Sequence, residues 1–134
     1  MVALVIDASV AVKWFLEEDR AEAARRLREN GDDMIAPASA VFEIFHVLWM
    51  SARVGRIPGR LLDDVERLVV GPFTSLVPVE ELFMSAARLA RSLAHPVYDC
   101  AYLALAEREG ARLVTADERL FAAARKARIK AKLL

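Results

Sequence analysis

Four acidic residues stand where this chain can least cheaply hold a charge. Asp7 closes Leu4-Val5-Ile6, a short apolar run with β-branched residues that reads as a buried strand. Asp117 follows a second such run, Leu113-Val114-Thr115, by two positions. Asp99 lies in the first turn of a helical stretch made of Val97, Tyr98, Ala101, Tyr102, Leu103 and Leu105. Glu43 sits among Val41, Phe42, Ile44 and Phe45, in the first turns of the most apolar helix of the chain. A charge so placed is costly unless something there uses it. Four carboxylates gathered in one crevice would repel one another, and some would stay protonated without a cation. All-oxygen ligation suits Mg²⁺ or Mn²⁺ rather than zinc. Mg²⁺ takes one or two carboxylates directly and keeps several waters, so the other acids would hold water or a second ion. Such a centre activates water and stabilises a phosphodiester under in-line attack. Ser9 and Thr115, each two residues from one of these acids, could hold metal-bound water or a phosphate oxygen; capping a helix and forming a turn is their other reading. Asp99 and Asp117 likewise have a second reading, as favourable charges or caps at helix N-termini.

The convergence of these acids depends on the elements that carry them. A first strand spans about Val2 to Ile6, and Ser9 is well placed to cap a short helix reaching Leu16. Asp19 with Glu22 resembles a capping box, opening a helix that Asn30-Gly31 ends. Met34-Ile35-Ala36 reads as a strand closed by Pro37. Ser39 starts a long helix to about Val54, apolar nearly all round and so buried on more than one side, one of which could face a second subunit. Pro58 opens the next helix and Gly71-Pro72 stops it. Thr74 to Pro78 is a third strand. The helix from Val79 to Ala94 sets Val79, Leu82, Phe83, Ala86, Ala87, Ala90 and Leu93 on one side and Arg88 and Arg91 on the other. Helix Val97 to Glu109, strand Arg112 to Thr115, a helix through about Ala127 and an edge strand within Ile129 to Leu133 complete the chain. Strands alternating with helices argue for a parallel sheet covered on both faces. Ligands of such sheets bind at the carboxyl ends of the strands. Asp7 and Asp117 would project there, and a helix starting after a crossover from a strand would bring Asp99 to the same edge.

Composition narrows the classes. The length of 134 residues fits one domain spanning residues 1–134. An apolar share of 56% allows ample burial, with an excess that could serve a subunit interface. The 19 basic and 19 acidic residues balance, so any attraction to nucleic acid must be local. Arg53, Arg56 and Arg60 bracket one turn, and Arg119, Arg125, Lys126, Arg128, Lys130 and Lys132 form a tail segment without an acid; each is either a solvated surface or a contact for RNA phosphates. Cys100 is the only cysteine, which excludes an internal disulfide and points to a reducing compartment. Asp7 and Lys13 interrupt any signal-peptide pattern, and no stretch approaches a membrane span, so a cytoplasmic protein is expected.

These residues resemble a known family. Val5-Ile6-Asp7-Ala8-Ser9 with Lys13-Trp14-Phe15, Ala36-Pro37 leading to Glu43, Tyr98-Asp99-Cys100-Ala101-Tyr102-Leu103-Ala104-Leu105-Ala106, and Leu113-Val114-Thr115-Ala116-Asp117-Glu118-Arg119-Leu120 are similar to the motifs of PIN-domain proteins, above all the VapC-type toxins of toxin–antitoxin pairs. The resemblance covers essentially the whole chain. It implies a three-layer α/β/α sandwich with a central parallel sheet and Mg²⁺- or Mn²⁺-dependent endoribonuclease activity. It implies Asp7, Glu43, Asp99 and Asp117 as the acids of the site, with Asp7 and Asp99 binding the ion directly. It further implies a homodimer and a cognate antitoxin that blocks the site. Attack by water predicts 5′-phosphate and 3′-hydroxyl products.

Other signals carry less. Glu43 and His46 share the i, i+3 spacing of di-iron bundles, but no second Glu-x-x-His exists, so His46 reads as a hydrogen-bonded core or interface residue. Cys100 with His95 nearby reads as packing rather than a nucleophile. Trp14 and Trp49 read as packing. Two rival functions stay open. One is a phosphotransfer or phosphatase domain, which would want an acceptor aspartate ending a middle strand; the third strand ends Val77-Pro78 without one. The other is a non-catalytic interaction module that keeps the fold.

Overall fold

The computed structural model describes residues 3–134, so Val2, placed in the first strand by its sequence, lies outside the described residues. Five strands form one wholly parallel sheet: β1 (Ala3–Ile6), β2 (Asp33–Pro37), β3 (Ser75–Val77), β4 (Arg112–Thr115) and β5 (Ala131–Leu133), in the order β3-β2-β1-β4-β5. The helices are α1 (Ala8–Ala11), α2 (Ala21–Glu29), α3 (Ala40–Arg53), α4 (Val79–Leu93), α5 (Val97–Glu109) and α6 (Glu118–Lys126). Together they form the three-layer α/β/α sandwich. β1, the central strand, is flanked by β2 and β4, and Val5, Ile6, Leu113 and Val114 are essentially without solvent exposure. That is the burial a parallel strand needs when helices cover both faces. α5 is apolar all round for the same reason: Cys100 through Ala106 are buried without a break.

The topology decides where a ligand can enter. From β1 the chain moves to β2 and β3 on one side, then returns to lay β4 on the other side of β1. The order therefore reverses between β1 and β4, which opens a crevice at their carboxyl ends. Asp7 directly follows β1, and Asp117 lies two residues past β4.

Several local expectations need correction. The segment after Pro58 is no α-helix: it is a tight 3₁₀ stretch, Gly59–Asp64, followed by a wide π turn, Glu66–Val70. Asp63, Asp64, Val65, Val69 and Val70 are poor helix formers, and too few good ones offset them. Gly71 closes the wide turn onto Glu66, and a Cβ there would collide with the Arg67 carbonyl. The helix after β1 is α only through Ala11 and tightens to 3₁₀ over Val12–Trp14. No capping box forms at α2; its N-terminal flank is Arg20, held at a positive φ of 66° without a side-chain cap. Lys13 braces the loop before it instead, donating to Glu18 Oε1 at 3.2 Å and to the Asp19 carbonyl at 2.6 Å. Two apolar surfaces stay open. On α3, Phe42 is 80% exposed, and Trp49 and Met50 are exposed too. On α4 the expected inward residue Phe83 points outward, while Leu89 is buried with Leu82 and Ala86. His46 is exposed and stacks on Trp49, so it is not a core residue. Trp14 and Cys100 are buried, as packing requires.

Candidate metal centre at the strand ends

Asp7 is the most deeply placed of the four acids, only 5% exposed. Its backbone N–H still belongs to the sheet, donating to the Val114 carbonyl, while its carbonyl accepts the first bonds of α1. The side chain thus leaves β1 directly at the crevice. Its Oδ2 accepts from Ser9 Oγ at 2.6 Å and from Thr115 Oγ1 at 2.8 Å. Each hydroxyl also takes a backbone N–H from the turn after β4: Ser9 Oγ accepts from Ala116 and Thr115 Oγ1 from Asp117, both at 3.0 Å. Ser9 therefore does not cap α1, whose flanking residue is Asp7. It ties the turns after β1 and β4 together. Thr115 forms its turn and holds Asp7 at once.

Asp117 does cap a helix. Its Oδ1 accepts from the Arg119 and Leu120 N–H groups at 2.8 and 3.3 Å, which satisfies two amides at the start of α6. A cavity of about 490 Å³ borders Asp117, with Lys13, Arg20, Ala116, Arg119 and Leu133 among its lining.

Glu43 and Asp99 reach the crevice from helices. Glu43 Oε1 accepts from the Tyr102 hydroxyl at 3.2 Å. The same hydroxyl accepts from the Ala8 N–H at 3.3 Å, immediately after Asp7. This buried tyrosine pins α5 and α3 to the end of β1. Asp99 arrives by a different route from the one its sequence suggests. α5 follows α4 through a short helix–helix connection, not a crossover from a strand. His95, in that connection, contacts Asp99 Oδ2 through Nε2 at 2.9 Å.

The electrostatics show that the four charges share one space. Burial is the largest influence on Asp7 and pushes its carboxyl up, the Ser9 and Thr115 hydrogen bonds oppose it, and the charges of Asp99 and Asp117 push it up further. Glu43 is pushed up to about 7, first by burial and then by the charge of Asp7. Tyr102 lowers Glu43 by donating to its charged form, and Asp99 raises it again. Burial, with the charges of Asp7 and Glu43, holds the Tyr102 phenol well above its ordinary range, so it remains a hydrogen donor.

One pattern recurs at all four acids. In each, one oxygen has a protein partner: Asp7 Oδ2, Glu43 Oε1, Asp99 Oδ2 and Asp117 Oδ1. No protein donor among the described residues engages the other. Among those residues no buried side-chain oxygen is left unpartnered, so the remaining oxygens are accessible to solvent. Open carboxylate oxygens that repel each other are the donor set a hard divalent cation fits. No three acids among the described residues stand close enough to grip one ion together. A hard divalent cation could be held here by one or two of these carboxylates, with water completing its shell.

Sequence reasoning named all four acids and both hydroxyls. It passed over Tyr102 and His95 as parts of the site. Tyr102 carried a signal: a hydroxyl in an otherwise apolar buried helix needs a partner.

Comparison with known proteins identifies the family. The PIN domain family matches residues 4–126. Ribonuclease VapC3 of Pyrobaculum aerophilum is 31% identical over 122 residues, covering 87% of this chain and 91% of its own. Ribonuclease VapC12 of Mycobacterium tuberculosis is 37% identical over 122 residues, covering 87% and 88%. Among solved structures, PAE2754 from Pyrobaculum aerophilum superposes with a TM-score of 0.67 at 26% identity over 91% of this chain and 84% of its own. FitAcB from Neisseria gonorrhoeae shares the fold, with a TM-score of 0.58 at 17% identity over 96% and 95%. With its strands, its crevice and its acids in this order, the chain belongs to the PIN-domain family and is of the VapC type.

Proposed function

We propose that this chain is a divalent-metal-dependent endoribonuclease, the toxin of a toxin–antitoxin pair. The observation that carries the reading is the set of four carboxylates, each tied by one oxygen and open at the other, at the reversal point of the sheet. The names of the VapC relatives give the substrate class. Asp7 and Asp99 would hold Mg²⁺ or Mn²⁺ directly, and Glu43 and Asp117 would complete the acidic cluster through water or a second ion. The cation supplies water activation and screening of the charge that grows on the phosphodiester. The chain's own residues supply the rest. Ser9 and Thr115 aim Asp7 and favour its ionised form against the effect of burial. Glu43, held near neutrality by its surroundings, can accept a proton at its open oxygen from an attacking water. Arg119, two residues beyond Asp117, is placed to meet a phosphate of the RNA strand. A single domain, a homodimer and an antitoxin partner belong to the same proposal. The open apolar surfaces at Phe42, Trp49 and Met50 and at Phe83 and Met84 give partner chains area to bury. No described helix is long and apolar enough to cross a membrane.

The decisive experiment is cleavage of total cellular RNA by purified protein in Mg²⁺ or Mn²⁺, beside EDTA and an Asp7→Asn control. Fragments that vanish in both controls and carry 5′-phosphates support the proposal. Cyclic phosphate ends, or cleavage that survives Asp7→Asn, defeat it. A phosphoryl-acceptor reading has one observation in its favour. β3 is an edge strand, so its lack of an acid does not bear on an acceptor; the middle strand is β1, and Asp7 directly follows it. Acetyl phosphate separates the two: a stable mass increase on Asp7 would favour the acceptor over the nuclease.

A further inference from the structure

Asp7, Glu43 and Asp117 are held by hydroxyls or by backbone N–H groups, whereas Asp99 alone is held by an imidazole. The placement of that imidazole is specific. His95 lies in the short link between α4 and α5, just before Pro96, with its side chain only 10% exposed. Its backbone is fixed on both sides: the N–H donates to the Ala90 carbonyl at 3.2 Å, and the carbonyl accepts from the Cys100 thiol at 3.7 Å. With the backbone anchored and the side chain largely buried, the ring has little room to follow the Asp99 carboxylate if that rotates. Asp99 Oδ2 is an acceptor when ionised, so Nε2 is the ring nitrogen that carries hydrogen toward it. A carboxylate in the first turn of a helix, without such a contact, would turn about its χ angles among several positions.

We propose that His95 is the positioning residue of Asp99: it pins Oδ2 so that Oδ1 faces the crevice in the orientation a cation requires. This rests on the metal-centre reading above. Residues that orient a ligating carboxylate typically carry 10- to 100-fold, by order of magnitude, in metal affinity.

The test is Mn²⁺ binding by the full-length protein without RNA, followed by calorimetry or by the electron paramagnetic resonance of the ion. Thermal melting serves as the folding check, and the Mg²⁺ concentration for half-maximal cleavage as a second readout. His95→Ala should stay folded and bind Mn²⁺ about 10-fold more weakly, with a matching rise in the Mg²⁺ requirement. His95→Gln, whose amide nitrogen reaches where Nε2 stands, should recover most of the loss. His95→Asn, whose amide stops short, should not. The Gln and Asn pair decides the question even if the Ala variant unfolds. A contact that only holds the helix link in place would lower the melting temperature and leave the affinity unchanged. Wild-type affinity in folded His95→Ala, or equal affinities in the Gln and Asn variants, would overturn the inference alone. Failure of the wild-type protein to bind either ion would overturn the metal centre and this inference together.

Discussion

The crevice has two halves built on different principles. Asp7 and Asp117 stand at strand ends, and everything that holds them lies within a few residues of those ends. Ser9, Thr115 and the N–H groups of Ala116, Asp117, Arg119 and Leu120 form a closed set of bonds of 2.6 to 3.3 Å. Glu43 and Asp99 stand on helices and are held by single contacts, from Tyr102 at 3.2 Å and from His95 at 2.9 Å. Both halves use contacts between distant residues: Thr115 reaches Asp7 across 108 residues of sequence and Tyr102 reaches Glu43 across 59. The strand half is organised by the pairing of β1 with β4, which brings their following turns together, and the helix half by how α5 packs against α3 and the end of β1. Asp7, in the first, is deeply buried, whereas Asp117, Glu43 and Asp99 are only partly so. Preorganised charge belongs in the strand half, and proton movement in the helix half.

Asp7→Asn tests the strand half most severely. Loss of a direct ligand should exceed the effect of losing an orienting neighbour, so cleavage should fall by more than about 100-fold. The same substitution removes a buried charge that Asp99 and Asp117 repel. In EDTA the variant should therefore melt at a higher temperature than wild type. An inactive variant without that gain would show that Asp7 is not crowded by its neighbours.

Thr115→Val and Tyr102→Phe compare the halves directly, since each removes one hydroxyl and little volume. Thr115→Val leaves the Asp117 N–H unpaired and Asp7 with Ser9 alone. Tyr102→Phe leaves the Ala8 N–H unpaired and Glu43 without a protein donor. Each should cost about 1–3 kcal/mol by chemical denaturation, with Thr115→Val at the upper end because it strips a more deeply buried carboxylate. Cleavage should fall further in Thr115→Val. The reverse order would place the demanding alignment in the helix half.

The pH dependence of stability reads the two halves together. Glu43 rises from its ordinary 4.5 to about 7, and Asp7 is shifted the same way. Between those values the folded protein keeps a proton that the unfolded chain has released, so protein in EDTA should lose stability as pH climbs from about 4.5 to about 7. Mg²⁺ binds the ionised acids, so its stabilising effect should be larger at pH 8 than at pH 5. Melting curves at both pH values, with and without Mg²⁺, check the sign. Equal Mg²⁺ shifts at both would deny that the raised acids form the cation site.

The contrast also explains what could be read from the chain alone. The strand half was legible because its signals are local: an acid after Leu4-Val5-Ile6, another after Leu113-Val114-Thr115, and a hydroxyl two residues from each acid. The alternation of strands and helices fixed the class of the sheet for the same reason. The partners in the helix half were not legible. His95 meets Asp99 only because a tight α4–α5 link turns its ring inward, and Tyr102 meets Glu43 only through tertiary packing. Failures elsewhere have a similar cause. Asp19 and Glu22 have the right types for a capping box, but Lys13 claims the loop ahead of them. The span after Pro58 is apolar at helical spacing, yet its propensities are too weak to hold an α-helix. Phe83 shares a periodic stripe with Leu82, but α5 covers a narrower face than the stripe suggests.

The smallest expected effect concerns the basic tail, which the fold divides. The Lys130 carbonyl accepts from the Leu113 N–H near the start of β4, so Lys130 and the adjacent Arg128 lie toward the amino edge of the sheet, away from the acids. Arg119 lies at the carboxyl edge, beside Asp117. Replacing Arg119 by Ala should weaken RNA binding about two- to threefold and reduce the salt slope by about 0.7, the share of one contact to single-stranded phosphate. Arg128→Ala with Lys130→Ala should change neither, although it removes twice the charge. Global attraction would obey total charge and penalise the double variant more; a strand of RNA laid across the crevice obeys position and penalises Arg119. Filter binding across a salt series separates the two, because only a contact actually made with phosphate releases a counterion.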